Sequence, residues 1–168
     1  MQEGRSNIRI EDVEWVASTC RYRARVERCV PKSASVGTAN GLAVLGDGTG
    51  MLIEIEALAT LAERGKGTLR TERGRQKAEA KGTAAASVEN ALTALRLTEG
   101  IDAKDYDLHI NLPGGVPIDG PSAGIAIAVA AASAILERPA DCRLAMTGEV
   151  SIRGSVRSVG GIRSKLSA

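Results

Sequence analysis

The chain has 168 residues, a formal net charge of +2 and 43% apolar residues, yet it contains no Phe, one Trp and two Tyr. This length fits one domain with a core of its own. The small net charge gives no sign of a strongly charged partner, so we expect no nucleic acid. Because Ala, Val, Ile and Leu must fill the interior, we expect close aliphatic packing.

Cysteine usage and hydropathy place further limits on the chain. Cys20, Cys29 and Cys142 are odd in number and form no CxxC pair, which argues against a metal site or a disulfide scaffold and is typical of a reducing cytosol. The N-terminus lacks a signal-peptide pattern, and the apolar run at 125–136 is shorter than the roughly 20 residues that span a membrane. We therefore expect a soluble, cytoplasmic protein without membrane contact.

The N-terminal part of the chain predicts a short helix followed by an extended segment. Residues 1–10 read as a frayed leader. Acidic residues followed by apolar residues at helical spacing predict a short helix over 11–17, with Trp15 as its packing anchor. Residues 21–28 alternate charged and uncharged positions, which favours an exposed strand or an extended linker.

The middle of the chain predicts strands followed by a helix. Strands at 39–45 and 51–57 flank a turn at 47–50. The basic residues within 63–81 have no aromatic neighbours for stacking bases, so a charged hairpin and loop is favoured over nucleic-acid binding. A stripe of apolar residues predicts an amphipathic helix over 83–97.

The last third of the chain predicts a strand at 106–112 and a long apolar helix from Ser122 to about residue 136, which must lie buried because it is apolar on every side. A short buried strand at 143–147 and a final helix over 162–168 follow. Mixed strands and helices place the fold in the α/β (α+β) class, with mixed sheets around a buried helix.

Ser122 is the candidate for chemistry. It lies near the end of the loop Gly-Gly-Val-Pro-Ile-Asp-Gly-Pro-Ser-Ala-Gly at 114–124. From the residues alone, a helix cap and a nucleophile are equally good interpretations, and a glycine-rich loop before a helix also suits an anion-binding module. A nucleophilic serine needs a base. The only histidine, His109, is better explained as a strand residue, whereas a buried lysine can serve, and Lys165 is the only lysine after Ser122.

Four segments carry a resemblance to a known family. In chain order they read Asp-Gly-Pro-Ser-Ala-Gly at 119–124, Ala-Met-Thr-Gly-Glu-Val at 145–150, Arg-Gly at 153–154 and Val-Gly-Gly-Ile-Arg-Ser-Lys at 159–165. In wording, order and spacing they resemble the proteolytic domain of Lon proteases. Upstream, Asn-Gly-Leu-Ala-Val at 40–44 and Ile-Glu-Ile-Glu-Ala at 53–57 resemble the early strands of that family.

The resemblance implies roles for individual residues. Ser122 is the implied nucleophile and Lys165 its base, with Thr147 hydrogen-bonded to the lysine amine. Arg163 occupies the first basic position of its segment and is not the base. From its place in the loop, Asp119 is interpreted as a turn or cap residue, in preference to an electrostatic neighbour of Lys165. Gly120 is expected to shape the loop.

The resemblance also implies a domain organisation and an activity. Residues 1–29 are similar to the end of an ATPase module, and 30–168 form a Lon-type proteolytic domain whose C-terminal part is missing. The implied activity is a serine endopeptidase that acts on unfolded or damaged proteins and peptides within an ATP-dependent machine. We expect no cofactor in this chain, since ATP and Mg²⁺ belong to the ATPase module, and a hexameric ring. A catalytically inactive Lon-like assembly domain is the alternative.

Overall fold

The computed structural model describes residues 7–19, 30–73, 83–112 and 121–168. The helices of these residues are α1 (Ile10–Thr19), α2 (Thr83–Glu99), α3 (Gly124–Leu136) and α4 (Ile162–Leu166). The strands are β1 (Thr38–Val44), β2 (Gly50–Leu61), β3 (Leu69–Arg73), β4 (Tyr106–Leu112), β5 (Ala145–Met146), β6 (Glu149–Val150) and β7 (Val156–Arg157). Single 3-10 turns lie at Ala103–Asp105 and Pro121–Ala123.

A mixed five-stranded sheet with the order β3-β4-β2-β1-β5 forms the frame. β1 and β2 form an antiparallel hairpin, and β2 also pairs antiparallel with β4. The outer strands β3 and β5 run parallel to their neighbours β4 and β1. β6 and β7 form a separate two-stranded hairpin. The hairpin turn between β1 and β2 closes where Leu45 N donates to Thr49 O at 2.8 Å and Thr49 N donates to Asp47 Oδ1 at 2.9 Å.

The core lies between the sheet and the pair of helices α2 and α3, with α3 packed on β1 and β2. Alternate residues of the central strands point into it and are at most 2% exposed: Ile53, Ile55, Leu108 and Ile110. Each such side chain contributes roughly 1.5–3 kcal/mol through burial. Small residues of α3 face them, and a Cβ at Gly41 would already lie 3.4 Å from the Ala126 Cβ. Close aliphatic packing therefore brings α3, and the turn before it, directly onto the sheet.

Most predicted elements are confirmed: the helices at 11–17 and 83–97, the hairpin, the strand at 106–112 and the apolar helix, whose inner positions are buried. β2 continues to Leu61, beyond the predicted end at residue 57, because it has β4 as a second partner there. The basic stretch at 63–81 contains β3, and its described part ends at residue 73. The extended segment predicted at 21–28 lies outside the described residues.

Two packing predictions are wrong. Trp15 does not anchor its helix within the described part of the chain, since 65% of it is exposed. The buried strand predicted at 143–147 is reduced to the two residues of β5, and Leu144 is 58% exposed. β5 lies at the edge of the sheet, so one side of this strand has no neighbouring strand among the described residues to cover it.

α4 is attached to the start of β2 by backbone contact. A Cβ built on Gly50 would lie 1.7 Å from the carbonyl oxygen of Ser164, the residue before Lys165. Only a glycine permits this approach. At the other end, Gly161 begins α4 with φ at 71°, and a Cβ there would lie 2.7 Å from Val44 Cγ2. The position of α4 therefore depends on glycines.

We predict that Gly50→Ala destabilises the protein by about 1–3 kcal/mol, the usual cost of overpacking, because the added methyl group overlaps backbone atoms of α4. Urea unfolding followed by circular dichroism measures the change. Gly46→Ala is the matched control, since a Cβ at Gly46 meets nothing within 4 Å. Equal unfolding midpoints for the two variants would contradict the packing described.

Candidate active site

Ser122 lies in the 3-10 turn that leads into α3 and is half-buried. The N-cap of α3 is Ala123, and no side chain caps this helix end by a hydrogen bond. The interpretation of Ser122 as a cap of α3 is therefore wrong. Among the described residues the Ser122 hydroxyl has no hydrogen-bond partner, which leaves it available to react.

Lys165 lies on α4 and is buried, with only 4% of it exposed. Lysine is among the residues least often buried without a partner. Its partner is Thr147, because Lys165 Nζ donates a hydrogen bond of 2.9 Å to Thr147 Oγ1. The contact between threonine and lysine that the family resemblance implies is thus present, while its role in catalysis stays a prediction.

The segment at 147–148 connects both candidate residues. Thr147 Oγ1 donates to the Ser122 carbonyl at 3.3 Å, and Gly148 N donates to the same carbonyl at 2.9 Å. In return, Ile125 N donates to Gly148 O at 3.2 Å. A Cβ on Gly124 would lie 2.8 Å from Val150 N, so a glycine at this position lets α3 approach the segment.

The direction of these hydrogen bonds fixes what Lys165 can do. The Ser122 carbonyl only accepts, so the single Thr147 hydroxyl proton points to it and the Thr147 oxygen must accept from Lys165. A neutral lysine amine has two N–H groups and one lone pair. One N–H is used on Thr147, and the lone pair remains for a second group such as a serine hydroxyl.

Burial lowers the pKa of Lys165 below its ordinary value of 10.5, because a low-dielectric environment penalises the ammonium form. The same cleft contains the carboxylate of Glu149, which forms an ion pair with Arg157 (Arg157 Nη1 to Glu149 Oε1, 3.3 Å). Among the described residues, no ion pair joins this carboxylate to Lys165, whose amine contacts Thr147 instead.

Ser122 and Lys165 line one cleft of about 500 Å³. The other described residues around it are Val44, Pro121, Glu149, Ser158, Val159, Gly160 and Gly161. No hydrogen bond joins the Ser122 hydroxyl directly to the Lys165 amine in the described part of the chain. Catalytic hydrogen bonds are often long without substrate and shorten when it binds.

The remaining predicted residues fall into two groups. Asp119 and Gly120 lie outside the described residues, so their implied roles stay predictions. His109 lies in β4, paired with β2 and β3, and lines a separate depression with Thr60 and Arg70. It is a strand residue, as the sequence favoured. Arg163 is exposed on α4.

Two residues near the site were missed from the sequence. Glu149 is the last residue of the Thr-Gly-Glu segment, and only this place in the segment indicated that it lies near the site. Asn40 lies on β1, where its buried side chain donates to backbone carbonyls of the segment before Thr147. A buried asparagine in an otherwise apolar strand was a signal that could have been used.

Comparison with known proteins gives a family match. The model of the Lon protease (S16) C-terminal proteolytic domain matches residues 7–168. Lon protease 2 of Bacillus subtilis is 44% identical over 99% of the chain, Lon protease 1 of Thermus thermophilus 43% over 99%, and the archaeal Lon protease of Methanothermobacter thermautotrophicus 36% over 82%. The chain spans 31%, 20% and 21% of these relatives. In the described ranges, no helix has both the length and the apolar character needed to cross a bilayer.

Burial of Lys165 has a consequence for stability. Below pH 10.5, Lys165 becomes protonated in the unfolded chain but stays neutral in the folded protein until the pH reaches its lowered pKa. The free energy of unfolding of the wild type therefore falls as the pH drops from 10.5 to that lowered pKa, and this contribution is constant at lower pH. We predict that Lys165→Met, which does not titrate, is more stable than wild type at neutral pH.

The difference in free energy of unfolding between Lys165→Met and the wild type should shrink as the pH rises to 10.5, because the wild type becomes more stable. Urea midpoints of both proteins between pH 6 and pH 10.5 (a range set by the ordinary lysine pKa) measure it. A pH-independent difference would show that burial does not shift the pKa of Lys165.

Proposed function

Because this chain belongs to the family of Lon protease (S16) C-terminal proteolytic domains, we propose that it is a serine endopeptidase in which Ser122 is the nucleophile and Lys165 is the general base. One observation supports the proposal above others: a buried lysine amine with a lowered pKa shares a cleft with a serine hydroxyl that caps no helix. A Ser-Lys pair requires a lysine amine that can lose its proton, and a lowered pKa favours that neutral form.

The proposed reaction begins with proton transfer. The Lys165 lone pair removes the proton from Ser122 Oγ while that oxygen forms a bond to the carbonyl carbon of a peptide. The tetrahedral intermediate collapses when the C–N bond breaks, and the Lys165 ammonium gives its proton to the leaving amine. An acyl-enzyme on Ser122 and a neutral lysine remain.

Hydrolysis of the acyl-enzyme repeats the same steps with water. Lys165 takes a proton from water, the hydroxide attacks the ester carbonyl, and the lysine returns the proton to Ser122 Oγ. Throughout, the hydrogen bond to Thr147 keeps the amine from rotating away. Backbone N–H groups at the start of the helical turn that contains Ser122 lack acceptors within the helix and are suited to stabilise the oxyanion.

The nature of the cleft supports an unfolded substrate. Ser122 is half-buried, and the amine of Lys165 lies deeper still. A peptide bond must leave its own fold to reach both groups, so unfolded or damaged proteins and peptides are the proposed substrates. Val44 and Val159 on the cleft wall offer apolar contacts for their side chains.

The wider context is part of the same proposal and is supported by family membership alone. Copies of the chain are proposed to form a hexameric ring in the cytoplasm, and ATP and Mg²⁺ are proposed to act at an ATPase module rather than at any residue described above.

We predict that Ser122→Ala and Lys165→Ala each abolish hydrolysis of casein while the circular dichroism spectrum is unchanged, because each removes one half of the proton-transfer pair. Lys104→Ala is the matched control, since Lys104 is exposed in the turn after α2 and lies outside the cleft. It should keep full activity.

Labelling separates this proposal from its alternative, an inactive assembly domain. A fluorophosphonate probe should label wild-type protein at Ser122 and leave Ser122→Ala unlabelled. Full caseinolytic activity of Lys165→Ala would refute the dyad, and a wild-type protein that neither labels nor cleaves would favour the assembly role.

A further inference from the structure

The candidate active site includes residues 147–148, whose attachment to the five-stranded sheet is short. Thr147 and Gly148, which contact Lys165 and Ser122, follow directly after β5. β5 pairs with β1 through only two residue pairs, Asn40 with Ala145 and Gly41 with Met146. Two paired residues give little stability by themselves, so something more must fix the approach of this segment to the site.

The side chain of Asn40 supplies that attachment. It is 4% exposed, and its Nδ2 donates to the carbonyl oxygens of Cys142 at 2.7 Å and Leu144 at 3.3 Å. The amide nitrogen therefore donates to two backbone carbonyls that lie more than 100 positions away in the chain. Asparagine is disfavoured in strands, so these contacts account for its presence in β1.

The path from Asn40 to the chemistry is short. The Asn40 side chain is hydrogen-bonded to residues 142 and 144. The two residues of β5 come next in the chain, and Thr147 follows them directly. A shift of this segment would move the Thr147 hydroxyl away from Lys165 Nζ and the Gly148 N–H away from the Ser122 carbonyl together, because both groups are on consecutive residues.

We propose that Asn40 is a positioning residue of the active site, which acts through the segment at 142–148 to hold Thr147 against Lys165 and Ser122. Asn40 does not line the cleft and touches no reacting atom. The expected loss of activity in Asn40 variants rests on the proposed function. The expected displacement of the segment at 142–148 does not depend on catalysis.

The kinetic test is a double-mutant cycle. Asn40→Leu, of similar size, removes both donated hydrogen bonds and should lower kcat/KM for a fluorogenic peptide, chiefly through kcat, by on the order of 10²-fold, the cost of a displacement of about 1 Å. In a Thr147→Ala background the same substitution should cause little further loss. Equal losses in both backgrounds would overturn the proposal.

The matched control is Asn111→Leu. Asn111 lies on β4 of the same sheet and donates one hydrogen bond of 2.8 Å, to Glu56 Oε2. It does not contact the segment at 142–148, so kcat/KM should stay at the wild-type value. If Asn40→Leu does not fold, Asn40→Ala replaces it in the cycle, because a methyl group donates no hydrogen bond.

Hydrogen exchange tests the positioning without any activity. Asn40→Leu or Asn40→Ala should accelerate exchange of the Gly148 amide, which donates to the Ser122 carbonyl, relative to core amides such as that of Ile55. Asn111→Leu should not. Unchanged exchange at Gly148 would overturn the positioning role. An inactive wild-type protein with accelerated exchange in the Asn40 variants would refute only the proposed function.

Discussion

The hydrogen bond from Lys165 Nζ to Thr147 Oγ1 joins α4 to the segment that follows β5. Lys165 is carried by α4, which rests on Gly50 and Val44, whereas Thr147 belongs to the edge of the sheet. Through Thr147 the bond also reaches the Ser122 carbonyl and thus the start of α3. Three separate elements must therefore be in place before a lysine amine can lie in the serine's cleft.

The proposed chemistry requires that Lys165 be buried, and this burial lowers the stability of the fold. A lysine in water is charged and cannot accept a proton, so the enclosure of Lys165 that lowers its pKa is also a desolvation cost to folding. The rest of the domain offsets this cost through its aliphatic core, where Ile53, Ile55, Leu108 and Ile110 are almost completely enclosed. The glycines that let α3 and α4 approach the sheet make the enclosure possible.

Much of this could be predicted from the sequence, because the signals were local. Alternation at Ile53 and Ile55, the helical stripe at 83–97 and the family segments around Ser122 and Lys165 each lie within a few consecutive residues. The family match over residues 7–168 confirms the resemblance that these segments indicated. The failures were of another kind. Trp15, the strand at 143–147 and the contacts of Asn40 depend on which distant residues cover or approach them, and periodicity contains no such information.

The state of Lys165 decides whether the site can work as proposed, and it can be measured directly. Protein labelled with ¹³C at the lysine ε-carbon gives a resonance whose shift follows protonation of the amine, and the Lys165 signal is identified by its loss in Lys165→Met. We expect this signal to titrate below the ordinary lysine value of 10.5. A Lys165 signal that titrates at 10.5 or above would contradict a neutral general base.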